Sequence, residues 1–376
     1  MPKVSIILPT FRRNESGRLH KAIDSALHQT LSDFELFIVD DGSTDGSSDT
    51  ILQYCQQDPR VKHIRFEQNV GLPALTTARA FRQSSGEFIA WMFDDCEWEP
   101  NYLAEMIEIF DGQKDAGIAY AKCEAHFAHG SELVGEQLDV ARLEAGGNHI
   151  PNGSTIIRRD VFYAIGWYDP RVALVRNNDW DFLRRAIRSG VKFLYVPKVL
   201  THEYGVALPD SLGNSYDTNF ELVDAIASAD RRDELHPDRV ECCDIISLPK
   251  GVSLTRDLLD TYLRILVEFA IKGGREALLK HIMTSEIFVS LGDRLSSQWN
   301  LLKWWGNTTT EYWRKEVISK DAHIQEQIIY IENQHAYIEK QHSEIHKRDA
   351  IIQNLPRLIL AFVRRKVGCL IRRVLG

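Results

Sequence analysis

The chain has 376 residues, 44% of them hydrophobic and 26% charged, and a net charge of −8. That length exceeds one comfortable domain and supplies a core of ordinary size, while the acidic balance excludes a general nucleic-acid coat, which needs a basic surface against phosphate. Six cysteines stand at 55, 96, 123, 242, 243 and 369, none in a CxxC pair, which argues against a zinc knuckle or redox motif and suits a reducing cytoplasm.

The opening MPKVSIILPT runs directly into a strand-like segment without a basic stretch and a long apolar one, so no signal peptide is expected. No stretch of about 20 apolar residues predicts a membrane-spanning helix. The apolar runs 4–8, 34–39, 61–66 and 88–93 are nearly continuous, the pattern of strands covered by helices on both faces. Residues 19–29 and 49–56 have helical spacing between them, with Thr44, Asp45 and Ser47 as candidate caps. Strand, helix and strand in this order predict a right-handed crossover and an α/β unit. A GxGxxG fingerprint is missing after the first strand, where Pro9, Thr10 and Phe11 stand instead, so an ordinary dinucleotide fold is disfavoured.

Two segments in this unit end in adjacent acids. The apolar strand 88–93 runs into Asp94 and Asp95, which places both carboxylates at the carboxyl edge of the sheet, where open α/β sheets bind ligands. Adjacent carboxylates repel unless a cation joins them, and a hard ion such as Mg²⁺ or Mn²⁺ takes oxygen ligands, often including substrate phosphate. The turn VDDGST at 39–44 offers Asp41 as an acceptor for a base or ribose, or simply as an Asx-type turn entering a capped helix.

Taken in order, VSIILPTF (4–11), VDDGST (39–44), NVG (69–71), SGEFI (85–89) and FDD (93–95) resemble the inverting family 2 glycosyltransferases, over about residues 1–205. The resemblance implies the A-type glycosyltransferase fold, an α/β nucleotide-diphospho-sugar fold on a mixed, mostly parallel sheet. It implies that Pro9, Thr10 and Phe11 line the nucleotide, that Asp41 contacts its base, that Asp94 approaches the ribose or metal, and that Asp95 binds the metal. Relatives often extend the acidic cluster, whereas Cys96 follows here and leaves a third acidic contact in doubt.

The segment NNDWDFLRR at 177–185 resembles the family's Glu-Asp motif, with Asn178 in the usual Glu position. Asp179 then matches the base that deprotonates an acceptor hydroxyl, with Asp181 as fallback and a helix N-cap as the plain alternative. NGST (152–155) and GWYD (166–169) resemble acceptor-side turns, so Trp167 or Tyr168 would stack on a sugar or lie in the core. His202, after a further strand, is a candidate third metal ligand. Arg12 and Arg13 would steer phosphate or stay solvated.

Beyond this unit the texture changes. Residues 216–310 read as mostly helical, with Leu258, Leu259, Tyr262, Leu263, Leu266 and Phe269 forming an apolar face. Ile324, Ile331, Ile338, Ile345 and Ile352 recur every seventh residue, a coiled-coil seam that predicts a homo-oligomer. The opposing positions Ile328, His335, His342 and Asp349 are weak, so a lone helix is the alternative, and His323, His335, His342 and His346 read as solvated. From residue 357 on, Arg357, Arg364, Arg365, Lys366, Arg372 and Arg373 meet no acid, and the apolar residues share one side, as in a helix lying on an anionic membrane. The chain is thus expected to divide at 1–210 (catalytic), 211–315 (helical), 316–354 (coiled coil) and 355–376 (basic tail).

These readings predict a metal-dependent transfer of a sugar from a nucleoside diphosphate, UDP first with dTDP and GDP open. The acceptor would be a surface polysaccharide or lipid-linked glycan, met by a cytoplasmic protein peripheral to the inner membrane face. The alternatives are a non-catalytic sugar-nucleotide-binding scaffold, against which Asp94, Asp95 and Asp179 argue, and a nucleotidyltransferase, which would need a Gly-rich basic loop after the first strand.

Overall fold

The computed structural model describes residues 1–127, 129–145, 147–204, 219–240 and 244–285. The expected heptad segment 316–354 and basic tail 355–376 lie outside the described residues.

In chain order the elements are β1 (Val4–Thr10), α1 (Arg18–Leu27), β2 (Phe34–Asp40), α2 (Ser47–Gln57), β3 (Val61–Arg65), α3 (Pro73–Gln83), β4 (Phe88–Trp91) and β5 (Cys96–Trp98). Next come α4 (Tyr102–Glu108), β6 (Ala116–Phe127), β7 (Gly130–Val134), α5 (Val140–Glu144), β8 (Thr155–Arg158), α6 (Arg159–Ile165) and α7 (Pro170–Ala173). The order closes with α8 (Asn178–Arg188), β9 (Lys192–Glu203), α9 (Phe220–Ala227), α10 (Arg256–Lys272) and α11 (Glu276–Thr284). Residues Met1–Phe269 form one compact unit, which runs past residue 210, and Ala270 begins a second, of which little beyond α11 is described.

One mixed sheet of nine strands organises the first unit, in the order β3-β2-β1-β4-β8-β6-β9-β5, with β7 added on β6. β1, β2, β3 and β4 are mutually parallel. β8 reverses direction between β4 and β6, and β9 runs parallel to β6. Most strands therefore point one way while β5, β7 and β8 oppose them. This is the mixed, mostly parallel sheet with flanking helices expected of the A-type fold.

The apolar runs explain the inner strands. β1 is buried at every position but Pro9, and β2 at all of its positions, because helices cover both faces. β3 departs from the expectation: only Val61 and Ile64 are buried, since it forms the sheet edge and one side of it meets solvent. Close contact fixes the loops at the carboxyl edge. Gly42 has φ +76°, and a Cβ there would meet Asn69 N at 2.8 Å, so only glycine lets the turn after β2 touch the 69–71 turn.

β9 pairs with β6 from Lys192 onward, and midway the register shifts twice. Val196 faces Ala121, but the next register partners are Val199 with Lys122 and Thr201 with Cys123. Pro197, which has no N–H to offer a ladder, sits in the first of these shifts. After it, His202 pairs with Glu124 and Glu203 with Ala125.

Of the expected helical stretch 216–310, residues 219–240 and 244–285 are described and hold α9, α10 and α11. α9 and α10 are separated by turns and irregular chain, and on α10 Tyr262, Leu263, Leu266 and Phe269 are buried whereas Leu258 and Leu259 are half-buried. No described helix is long and apolar enough to cross a membrane.

Candidate active site

Because β1, β2 and β4 are parallel neighbours, their carboxyl ends bring Pro9, Thr10, Phe11, Asp41 and Asp94 to one edge of the sheet. Met92 N donates to Ile7 O at 3.1 Å, so β4 stays pinned to β1 up to the acidic turn. Phe11 N then donates to Asp94 Oδ2 at 3.3 Å, and Arg13 Nε lies 3.7 Å from Asp94 Oδ1. Burial, followed by the charge of Asp95, pushes the Asp94 carboxyl up to about 7, against the opposing pull of Arg13 and the Phe11 amide. Burial also raises Asp95, although Arg13 and Arg18 oppose the shift. Cys96 Sγ donates to Asp95 Oδ1 at 3.6 Å. Its thiol is buried and held protonated far above the ordinary range, first by burial and then by Asp95, which makes it a packing group rather than a nucleophile.

Sequence reasoning missed Glu203. β5 pairs antiparallel with β9, setting Cys96 opposite Glu203, and Tyr204 N donates to Asp95 O at 2.9 Å. The Glu203 carboxyl is pushed up to about 7 by burial, then by the charges of Asp95 and Asp179. One side chain thus feels both acids that the motifs single out, 84 residues apart in the chain. The available signal was a second acid next to His202 at a strand end, but its placement depends on the β6–β9 register, which local spacing does not reveal.

Asp179 lies in the first turn of α8, after Asn177 as N-cap, so it is not itself the cap. Asn148 Nδ2 donates to Asp179 Oδ2 at 3.0 Å and orients the carboxylate. Burial raises its pKa, opposed by the backbone amides at the helix N-terminus and by Asn148.

Asp181, the fallback base, points elsewhere. Its Oδ1 accepts from Arg231 Nη2 at 2.6 Å and its Oδ2 from Arg185 Nε at 3.0 Å, and the side chain is buried. Arg231 also bonds Asp169 at 2.8 Å, and Arg171 holds Asp169 at 2.9 Å. Both Asp181 oxygens thus accept from guanidinium groups in the buried interior, the setting of a structural anchor.

Trp167 and Tyr168 are core residues. Trp167 donates from Nε1 to Ala74 O at 2.7 Å, and both rings pack among Phe81, Trp91, Phe162 and Phe182. Asp41 accepts from Val70 N at 2.8 Å, Gly71 N at 2.7 Å and Asn69 Nδ2 at 3.2 Å, so it clamps the 69–71 turn against the end of β2.

His202 is not grouped with Asp95. Successive strand residues take opposite faces, and while Glu203 interacts with Asp95, His202 meets Glu99 Oε1 at 2.8 Å and Glu124 Oε2 at 3.3 Å. Arg12 adopts φ +57° and donates its N–H to Ser43 Oγ at 3.1 Å, so its backbone ties β1 to the β2 turn.

Residues 5–166 match the model of glycosyl transferase family 2. An uncharacterized glycosyltransferase of Nostoc sp. is 38% identical over 119 residues, 31% of this chain and 36% of that protein. The GalNAc(5)-diNAcBac-PP-undecaprenol beta-1,3-glucosyltransferase of Campylobacter jejuni is 27% identical over 166 residues, 44% of this chain and 48% of that protein. Among solved structures, S. aureus TarS 1-349 in complex with UDP superposes with a TM-score of 0.48 at 17% identity, over 76% of this chain and 88% of that one. The chain spans between about a third and a half of the length of these curated relatives.

Proposed function

Because residues 5–166 are a glycosyl transferase family 2 domain, we propose that this protein transfers a sugar from a nucleoside diphosphate, with inversion, onto a hydroxyl of a polysaccharide or lipid-linked glycan. The observation that carries the reading is the gathering of Asp94, Asp95, Glu203 and Asp179 around one site, with Glu203 sensing both Asp95 and Asp179.

Each group has a distinct task in this reading. Pro9, Thr10 and Phe11 line the nucleotide, the Phe11 amide fixes Asp94 at its ribose side, and Asp41 holds the neighbouring turn from which the base is contacted. Asp95 binds a hard divalent ion, Mg²⁺ or Mn²⁺. Among the described residues no set of three ligands that includes Asp95 lies within 4.8 Å of one another, which fits an ion held by one or two carboxylates and otherwise by diphosphate oxygens. When bound, the ion neutralises the departing diphosphate. Arg13, beside Asp94, adds positive charge on the same side.

Asp179 accepts the acceptor's proton. Its raised pKa brings it closer to working pH, which favours general-base catalysis, and Asn148 orients the carboxylate through Oδ2. Glu203, which feels the charges of both base and metal ligand, binds the acceptor or the ion's shell.

UDP is the first donor to try, followed by dTDP and GDP sugars. The basic tail would hold the protein on an anionic membrane surface and the Ile heptads would join copies of it. Deleting 357–376 should then release it from anionic vesicles, and deleting 320–352 should lower its mass in light scattering. The primary test is donor hydrolysis and transfer across nucleotide sugars with and without Mn²⁺. Transfer that is equal in Asp95→Ala and wild type would sink the metal assignment, and turnover with none of the donors would sink the reading itself.

A further inference from the structure

The other face of the β6–β9 pair carries a side-chain group that the proposed transfer does not use. Glu124 and His126 are two residues apart on β6 and so share a face, and Glu124 is the register partner of His202 on β9. Glu124 Oε2 lies 3.3 Å from His202 Nδ1 and 3.8 Å from His126 Nε2. The three donor atoms all lie within 4.8 Å of one another.

Two further features aim these atoms at a common point. His126 Nε2 is buried and has no hydrogen-bond partner, and such atoms call for an occupant. The His126 ring is held by stacking on Tyr204, 4.4 Å between centroids and 6° between planes. His202 engages Glu99 Oε1 through Nε2 at 2.8 Å. A proton on Nε2 directed at that carboxylate leaves the lone pair of Nδ1 facing Glu124. A carboxylate gripping the far nitrogen of an imidazole is how metal-bound histidines are oriented.

The spacing and chemistry agree. Ligands about 2.0–2.2 Å from a tetrahedral ion sit roughly 3.4 Å apart, and the Glu124 distances of 3.3 and 3.8 Å bracket that value. Two imidazoles with one carboxylate suit a borderline transition ion such as Zn²⁺ better than Mg²⁺ or Mn²⁺, which prefer oxygen. All three side chains are partly exposed, between 22% and 31%, so a fourth position remains for water.

We propose that Glu124, His126 and His202 form a zinc-type metal site spanning β6 and β9, separate from the acids of the donor side. The ion would clasp the end of β9 immediately before Glu203 and Tyr204.

The test uses the full-length protein, stripped with chelator and titrated calorimetrically with Zn²⁺ in excess Mg²⁺, and in parallel with Co²⁺ followed by visible absorption. Wild type and Asp95→Asn should bind one more Zn²⁺ per chain than Glu124→Gln or His126→Ala, and the Co²⁺ band of a tetrahedral site should vanish in the latter two. Glu99→Gln, which keeps all three ligands, should weaken Zn²⁺ binding by roughly 10–100-fold. Melting curves of the stripped proteins control for folding: Zn²⁺ should raise the midpoint of wild type and not of Glu124→Gln. Equal Zn²⁺ stoichiometry and equal Zn²⁺-induced stabilisation in wild type, Glu124→Gln and His126→Ala would overturn the proposal and leave an ion pair between Glu124 and protonated imidazoles. Loss of the extra Zn²⁺ in Asp95→Asn alone would overturn it by assigning the ion to the donor side.

Discussion

Asp169 and Asp181 lie within the same compact unit as Asp94 and Asp95, the first pair buried and the second half-buried. Around the first pair, Arg171, Arg185 and Arg231 supply guanidinium groups at 2.6–3.0 Å. Burial alone would raise Asp169, but Arg171 and Arg231 hold it below its ordinary range. Around the second pair Arg13 stands at 3.7 Å, and Asp94 rises to about 7. Buried carboxylates matched by guanidinium groups anchor a fold, and half-buried carboxylates whose pKa values are pushed up are candidates for a functional site.

The comparison breaks most visibly at Arg231. Its replacement by Met leaves Asp169 and Asp181 short of a partner in the core, and the expected loss is about 3–5 kcal/mol of stability, measured by denaturant unfolding. Asp179→Asn should do the opposite, keeping the fold and donor affinity while lowering transfer by about 10²–10⁴-fold in steady-state kinetics. Simultaneous loss of folding would return Asp179 to a purely structural role.

The pH response separates the two acid groups further. Asp94 and Glu203 have folded pKa values near 7, above their ordinary values of 3.8 and 4.5. Their contribution to stability is therefore present at low pH and is lost as pH rises through about 7. Metal-stripped protein should show a melting midpoint that falls between pH 5 and 8 more steeply than that of Asp94→Asn/Glu203→Gln, and Mn²⁺ should restore it at pH 8. Asp169 is shifted the other way, so its contribution is present at neutral pH and is lost on acidification through its lowered folded pKa. The smallest effect is expected at Asp41, where Asn keeps one acceptor and loses the charge-assisted bonds to the 69–71 turn, for about 1–3 kcal/mol by thermal unfolding.

How much of this was legible in the sequence follows the range of the interactions. The runs ending at Thr10, Asp40 and Trp91 announced inner strands, and the acids after them announced the carboxyl edge, because both signals are local. Asp181 could not be told from Asp179 by spacing, since its partner Arg231 lies 50 residues on and closes only in the tertiary fold. Trp167 and Tyr168 read equally as sugar platforms or core until α3 and α6 had been packed against them. Glu203 and His202 needed the pairing of two strands with β7, α5, β8, α6, α7 and α8 between them, including register shifts near Pro197 and Leu200 that no periodicity marks.

The second of these shifts, a single extra residue between Val199 and Thr201, sets the parity of everything downstream on β9. Glu203 and His202 are neighbours in antiphase, one assigned to each face, and a strand keeps count in steps of two. Loss of one residue between Val199 and His202, with the ladder to β6 otherwise retained, would turn Glu203 toward Glu124 and His126 and present Tyr204 to Asp95. A single-codon deletion there would displace both groups of side chains at once without touching a residue of either, so this short stretch should tolerate substitution far better than any change of length.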